Sequence, residues 1–68
     1  MSRIEGFFLE DEQLNFTNEK PYIIYGYAAV PNDKTLTINP GAKLHFHRNS
    51  GLIIDTKASL KANGTLII

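Results

Sequence analysis

The chain has 68 residues, of which 43% are hydrophobic and 21% are charged, and it contains no cysteine. A chain of this length forms one small domain at most, and neither a disulfide nor a thiolate metal site can stabilise it. Seven basic residues balance seven acidic ones and are scattered along the sequence. Nucleic-acid binders concentrate basic residues on one surface, so this charge pattern argues against a nucleic-acid partner.

The apolar runs are also short. None approaches the roughly 20 residues that a membrane-spanning helix needs. No basic segment followed by an apolar stretch opens the chain, so no secretory signal is visible. We therefore expect no membrane span.

Helical periodicity is weak in the segment 1–20. The only stretch with partly helical spacing runs from Ile4 to Leu14, and Gly6 interrupts it without a good cap before it. We therefore predict that residues 1–20 form an extended or irregular N-terminal cap. Residues 21–68 are predicted to form a separate β-rich region.

From Pro21 onward, short apolar stretches alternate with turns rich in Gly, Pro, Asn and Asp. The stretch 22–30 is rich in β-branched and aromatic residues, and Gly26 within it predicts a bulge or a bend. The next four stretches begin at leucines spaced by eight residues, which are Leu36, Leu44, Leu52 and Leu60. The last stretch begins at Leu66.

Regular short strands are compatible with a meander, a barrel or a solenoid. The solenoid is favoured because the strands are shorter than usual hairpin strands and because Gly-containing phrases recur. Two or three eight-residue steps also add up to roughly 20 to 24 residues, which suits one coil of a parallel β-helix. The side chains predicted to point inward are Leu36, Ile38, Leu44, Phe46, Leu52, Ile54, Leu60, Leu66 and Ile68. Those predicted to point outward are Thr37, His45, Lys61 and Thr65.

Several phrases in this region carry a family resemblance. They are KPYII at 20–24, LTINPG at 36–41, GLI at 51–53 and NGTL at 63–66. Residues 16–68 resemble the N-terminal coils of a large group of bacterial right-handed parallel β-helix proteins, many of which resemble envelope or surface lipoproteins. The resemblance implies an all-β, short-stranded right-handed parallel β-helix fragment with an N-terminal cap. It also implies a place at the bacterial cell envelope or outside the cell. Members of the group are usually several hundred residues long, so we expect this chain to be an N-terminal section truncated at its C-terminus.

Two histidines are the only candidates for a metal site. His45 and His47 are two residues apart on a predicted strand and share one face, opposite Leu44 and Phe46. Zinc needs three or four protein ligands, no cysteine exists, and the nearest acid in sequence is Asp55. We therefore predict a solvated pair, with no metal and no cofactor.

The carboxylates do not predict a catalytic pair. Those at 10–12 are adjacent, so neighbouring ones diverge on an extended chain. Asp33 and Asp55 lie in predicted turns, where Asp commonly forms local hydrogen bonds. No catalytic residue is predicted.

Tyrosines are concentrated before residue 30. Together with Phe7, Phe8 and Phe16, the tyrosines Tyr22, Tyr25 and Tyr27 are predicted to pack over the open end of the core, with stacking of exposed tyrosines on a sugar ring as the alternative. They are thus the candidate contacts for a ligand or for the cap.

Three functions remain open. The favoured one is a non-enzymatic structural or binding module of an extracellular β-solenoid, adhering to a glycan or a partner protein. The alternative is the N-terminal part of a carbohydrate-active β-helix lyase or hydrolase whose catalytic coils lie beyond residue 68. The third is self-association through an edge strand formed by Leu66, Ile67 and Ile68.

Overall fold

The computed structural model describes residues 2–62 of the chain. Their regular secondary structure is β strand, apart from one turn of 3₁₀ helix at Asp11–Gln13, which confirms the predicted all-β class. No helix in this range has the length and apolar character needed to cross a membrane. The strands are β1 (Ser2–Ile4), β2 (Asn15–Phe16), β3 (Tyr22–Ile24), β4 (Tyr27–Val30), β5 (Thr35–Ile38), β6 (Leu44–Phe46), β7 (Gly51–Ile54) and β8 (Ser59–Ala62).

Every pairing among these strands is parallel. The sheets have the orders β1-β3-β6, β2-β5-β8 and β4-β7, and a bridge between Phe8 and Ala29 adds a further segment beside β4. Each strand pairs with one well beyond it in sequence, as β1 does with β3 and β5 with β8. The chain therefore visits the three sheets in turn, three times. The first layer is β1, Phe8 and β2, the second is β3, β4 and β5, and the third is β6, β7 and β8.

Alternate side chains from all three sheets form one apolar core. The cluster comprises Ile4, Leu9, Phe16, Tyr22, Ile24, Ala28, Val30, Leu36, Ile38, Ala42 and Leu44. Leu36, Ile38 and Leu44 are buried, as the period-two alternation predicts. Phe46 and Leu52 are only partly buried, but both pack against the cluster.

Two residues predicted to be inward are much more exposed than expected. Ile54 lies in register opposite Val30, and Leu60 opposite Leu36. Val30 and Leu36 are fully buried, whereas Ile54 is 40% exposed and Leu60 is 46% exposed. Within residues 2–62, the second layer has a neighbouring layer on both sides and the third has one on one side only. The predictions for Thr65, Leu66, Ile67 and Ile68 lie outside the described residues.

The N-terminal segment differs from the predicted irregular cap. β1 pairs with β3, β2 pairs with β5, and the backbone N–H of Leu9 donates to the Ala29 carbonyl at 2.9 Å. Ile4, Leu9 and Phe16 belong to the core. This segment therefore forms the first layer of the same sheets.

A bend at Gly26 separates β3 from β4, as predicted. Gly26 has a φ of 78°, a left-handed conformation that glycine adopts without steric cost. Its backbone N–H donates to Ser50 Oγ at 2.8 Å, and that hydroxyl donates to the Arg48 carbonyl at 3.2 Å. The hydroxyl thus joins the bends of the second and third layers.

Candidate functional site

Planar side chains from three layers stack on the outer face of the β1-β3-β6 sheet. The guanidinium carbon of Arg3 lies 4.6 Å from the ring centroid of Tyr25. The ring of His47 lies 4.7 Å from the same ring, tilted by 42°. Parallel pairing brings Tyr25 beside His47, because Tyr25 N–H donates to the Ile4 carbonyl and His47 N–H donates to the Ile24 carbonyl. Arg3 lies in register opposite Ile23, two residues before Tyr25 and on the same face. The result is a continuous outward-facing stack of one cation and two rings.

An ion pair lies beside this stack. Arg3 Nε is 3.5 Å from a carboxylate oxygen of Glu5, and both side chains are about 60% exposed. Exposed pairs of this kind contribute little to stability. Both groups remain accessible as a hydrogen-bond donor and an acceptor beside the Tyr25 ring.

Tyr27 lies over a glycine in the neighbouring layer. It is 54% exposed at the start of β4, on the face opposite the buried Ala28. Its register partner is Gly51, and a Cβ added to Gly51 would lie 3.3 Å from two Tyr27 ring carbons. Gly51 therefore leaves the space that the tyrosine ring occupies.

Further apolar side chains lie on the outer face of the β4-β7 sheet. Phe8 pairs with Ala29, and Ala29 pairs with Ile53. Phe8 is 57% exposed and Ile53 is 38% exposed. We use the term outer aromatic surface for the outward-facing residues Phe8, Tyr25, Tyr27, His47 and Ile53.

The three tyrosines singled out from the sequence have different environments. Tyr22 is 8% exposed, belongs to the core and packs its ring 4.7 Å from that of Phe16. Its hydroxyl accepts a hydrogen bond from the Thr17 backbone N–H at 3.1 Å. Tyr25 is half-buried within its stack, and Tyr27 is exposed. Only Tyr25 and Tyr27 are therefore placed to contact a ligand.

The two histidines lie on the outward side of β6 and just after it. His45 is half-buried in register opposite Ile23, and His47 is exposed against Tyr25. Within residues 2–62, no three His, Asp or Glu side chains come close enough to share a metal ion.

Several carboxylates form local or surface contacts. A carboxylate oxygen of Asp11 lies 3.3 Å from Lys34 Nζ. A carboxylate oxygen of Asp55 accepts a hydrogen bond from the Thr56 backbone N–H at 2.7 Å. Glu10 precedes the 3₁₀ helix in a capping box with Gln13. Asp33 occupies a turn position with a φ of 65°.

A cavity of about 340 Å³ lies near β1, the 3₁₀ helix and β2. Its lining combines the core side chains Ile4 and Phe16 with the charged residues Arg3, Glu12 and Lys20. The sequence does not reveal this cavity, because its lining comes from separate segments.

Sequence reasoning expected Phe8 to pack over the open end of the core with the other aromatic side chains, and it did not single out Ile53. For Ile53, the signal that could have found it is the leucine spacing. Three of the eight-residue steps separate Tyr27 from Gly51, and the same distance along the chain separates Ala29 from Ile53. Both pairs are register partners in the structure. Phe8 gives no such signal, because its bridge to Ala29 has a different offset.

Comparison with family models, with curated proteins and with solved structures finds no match to this chain. The family resemblance therefore stays a prediction. The candidate site rests on its own geometry, which offers exposed rings for stacking and an adjacent ion pair for hydrogen bonding.

Proposed function

We propose that this chain is a section of a right-handed parallel β-helix that acts as a non-enzymatic binding module at the bacterial cell envelope or outside the cell. The repeated visits to three parallel sheets support the architecture. Ser2 pairs with Tyr22 and Thr35 pairs with Ser59. The chain therefore returns to the same sheet after roughly 20 to 24 residues, which is the length expected of one β-helix coil. The right hand follows from the strong preference of parallel crossover connections. The family resemblance supports the location.

The observation that carries a binding function is the position of Tyr27. Its ring is more than half exposed and lies over Gly51, so residue 51 has no side chain to compete with it. Tyrosine combines an apolar ring with a polar tip, which suits surfaces that are partly wet. Sugar rings offer the matching chemistry, because their C–H faces stack on aromatic rings and their hydroxyls need hydrogen-bond partners. We therefore propose a glycan as the ligand.

The surroundings of Tyr25 add the polar half of such a site. Arg3 and Glu5 lie beside the stack and are accessible to solvent. A guanidinium donates several hydrogen bonds, and a carboxylate accepts them. A sugar stacked on Tyr25 would thus find apolar and polar contacts together.

The contacts of the carboxylates support binding rather than catalysis. Glycoside hydrolases use two carboxyl groups facing each other across the scissile bond. Here Asp11 pairs with Lys34, Asp55 hydrogen-bonds within its own turn, and Glu10 belongs to a capping box. The enzyme alternative would need other carboxylates.

The test is a titration of the chain with cellohexaose and with peptidoglycan fragments, followed by NMR shifts and calorimetry. We expect Tyr27→Ala to weaken binding about tenfold, in line with the worth of one aromatic contact. Tyr27→Phe keeps the ring and should retain most of the affinity. Leu60→Ala changes a similarly exposed residue that lies outside the outer aromatic surface, and it is the matched control.

A second variant tests the geometry without touching the tyrosine. Gly51→Ala places a methyl group 3.3 Å from two Tyr27 ring carbons, so the ring must shift by a few tenths of an ångström, and binding should weaken by less than in Tyr27→Ala. The binding proposal fails if neither glycan is bound, if Tyr27→Ala binds as tightly as the unchanged chain, or if Tyr27→Ala and Leu60→Ala weaken binding equally.

A further inference from the structure

The guanidinium group of Arg3 is contacted on its face and at one edge. Its carbon lies 4.6 Å from the Tyr25 ring centroid, and its Nε lies 3.5 Å from a carboxylate oxygen of Glu5. Within residues 2–62, its two terminal nitrogens make no hydrogen bond and no ion pair. The side chain is 60% exposed. Arg3 therefore offers N–H donors to solvent directly beside an aromatic ring.

These donors have the geometry that recognises a carboxylate. A guanidinium is planar, and its N–H groups form two parallel hydrogen bonds to the two oxygens of a carboxylate. The contacts with Tyr25 and Glu5 restrict the Arg3 side chain, so less rotamer freedom is lost when a ligand binds. The exposed ion pair with Glu5 contributes little energy of its own, so it does not prevent a second carboxylate from binding at the terminal nitrogens.

The surrounding surface also favours an anionic group. The outward positions of the β1-β3-β6 sheet and of the residues that directly follow its strands are Arg3, Glu5, Ile23, Tyr25, His45 and His47. Glu5 is the one acid among these six, and the exposed Arg48 directly follows His47. A carboxylate on this face therefore meets mainly cationic and neutral side chains.

We propose that the glycan bound by this surface carries carboxylate groups, as uronic acids do, and that Arg3 binds one of them. The inference rests on the proposed glycan binding, because it names the class of glycan bound at the same site. Tyr25 and Tyr27 are two residues apart, which is at most about 7 Å along the chain. An oligosaccharide of a few units is long enough to reach the Tyr27 ring and the Arg3 guanidinium together.

Two hexasaccharides with the same linkage provide the test. Cellohexaose is a neutral chain of β-1,4-linked glucose, and its oxidised counterpart, β-1,4-linked hexaglucuronate, carries a carboxylate on every unit. Calorimetry with the full chain at low ionic strength should show about tenfold tighter binding of the hexaglucuronate, the scale of one charge-assisted contact. The preference should shrink at high salt, which screens exposed charges. The NMR resonance of the Arg3 Nε–H group should shift more with hexaglucuronate than with cellohexaose.

Variants of Arg3 separate its contact from a general effect of charge. Arg3→Gln removes the charge and should bring the two affinities within about twofold of each other, whereas Arg3→Lys keeps a point charge without the planar donors and should retain only part of the preference. Lys61→Gln is the matched control, because it removes a positive charge from an exposed position on the β2-β5-β8 sheet and should leave the preference intact. Hexaglutamate has carboxylates but no sugar ring, so it should bind at least about tenfold more weakly than hexaglucuronate.

Failure of this inference differs from failure of glycan binding. Equal affinity for the two hexasaccharides would overturn the inference and leave glycan binding intact. Binding of neither would also overturn it, and the peptidoglycan fragments would then decide whether any glycan is bound. A preference that survives Arg3→Gln, or that Arg3→Gln and Lys61→Gln reduce equally, would show that Arg3 does not bind the carboxylate. Hexaglutamate binding as tight as that of hexaglucuronate would show that the surface recognises charge without the sugar.

Discussion

The hydroxyl of Tyr22 accepts a hydrogen bond from the backbone N–H of Thr17 at 3.1 Å and lies 3.2 Å from the Thr17 hydroxyl. Thr17 directly follows β2 and Tyr22 begins β3, so this contact holds the corner where the first layer becomes the second. The corner is thus fixed by one side chain whose ring belongs to the core.

Removing that hydroxyl should destabilise the fold without changing its packing. Tyr22→Phe keeps the ring against Phe16 but leaves the Thr17 N–H without this partner, which should cost about 1 kcal/mol. Denaturant unfolding measures the change. Tyr25→Phe is the control, because the Tyr25 hydroxyl makes no hydrogen bond within residues 2–62, and its effect should stay below about 0.5 kcal/mol. Equal losses in the two variants would contradict the assigned role.

Leu36 and Leu60 should differ in their contribution to stability despite their shared register. Leu36→Ala removes a fully buried side chain from the second layer and should cost about 2–5 kcal/mol. Leu60→Ala should cost less than half as much at low protein concentration, since Leu60 is 46% exposed. Denaturant unfolding of both variants measures the two costs, and equal losses would contradict the difference in burial.

The strands after residue 35 could be predicted from local sequence. Leu36, Leu44, Leu52 and Leu60 each lie in a separate strand, β5 to β8, and the turns between them carry the expected residues. Period-two alternation and turn chemistry are properties of a few neighbouring residues, so they are readable without the fold.

The first layer could not be predicted in the same way. β1 contains a single apolar residue, Ile4, and β2 has only two residues, so alternation cannot be tested in either strand. Their conformation depends on pairing with β3 and β5, which lie a full circuit of the sheets further along the chain. The contact of Tyr27 with Gly51 has the same origin, since register between layers decides it.

The turn at residues 39–42 should be more sensitive to substitution than the bend at Gly26. Both Gly26 and Gly41 have positive φ, at 78° and 82°, so alanine at either position should cost about 1–2 kcal/mol in backbone strain. At Gly26 an added Cβ meets nothing within 4 Å, but at Gly41 it would lie 3.2 Å from the Cβ of Asn18. Gly41→Ala should therefore cost roughly 1 kcal/mol more than Gly26→Ala.

Calorimetric unfolding of the two variants measures the difference. Asn18→Gly removes the contacting atom and should bring the cost of Gly41→Ala close to that of Gly26→Ala. If Gly26→Ala were the more damaging variant, the close approach of residues 18 and 41 would not be a determinant of this turn.

Zinc should not bind stoichiometrically to His45 and His47. The His47 ring is stacked 4.7 Å from that of Tyr25, and His45 is half-buried beside Ile23, so chelation would have to disturb one of these positions. Two imidazoles also fall short of the three or four ligands that zinc takes in proteins, and no third His, Asp or Glu joins them within residues 2–62. A titration with Zn²⁺, followed by the two imidazole resonances, should show only weak, non-saturating shifts. His45→Ala should behave in the same way. Tight binding at one ion per chain that is lost in His45→Ala would instead establish a metal site on the outer face of β6.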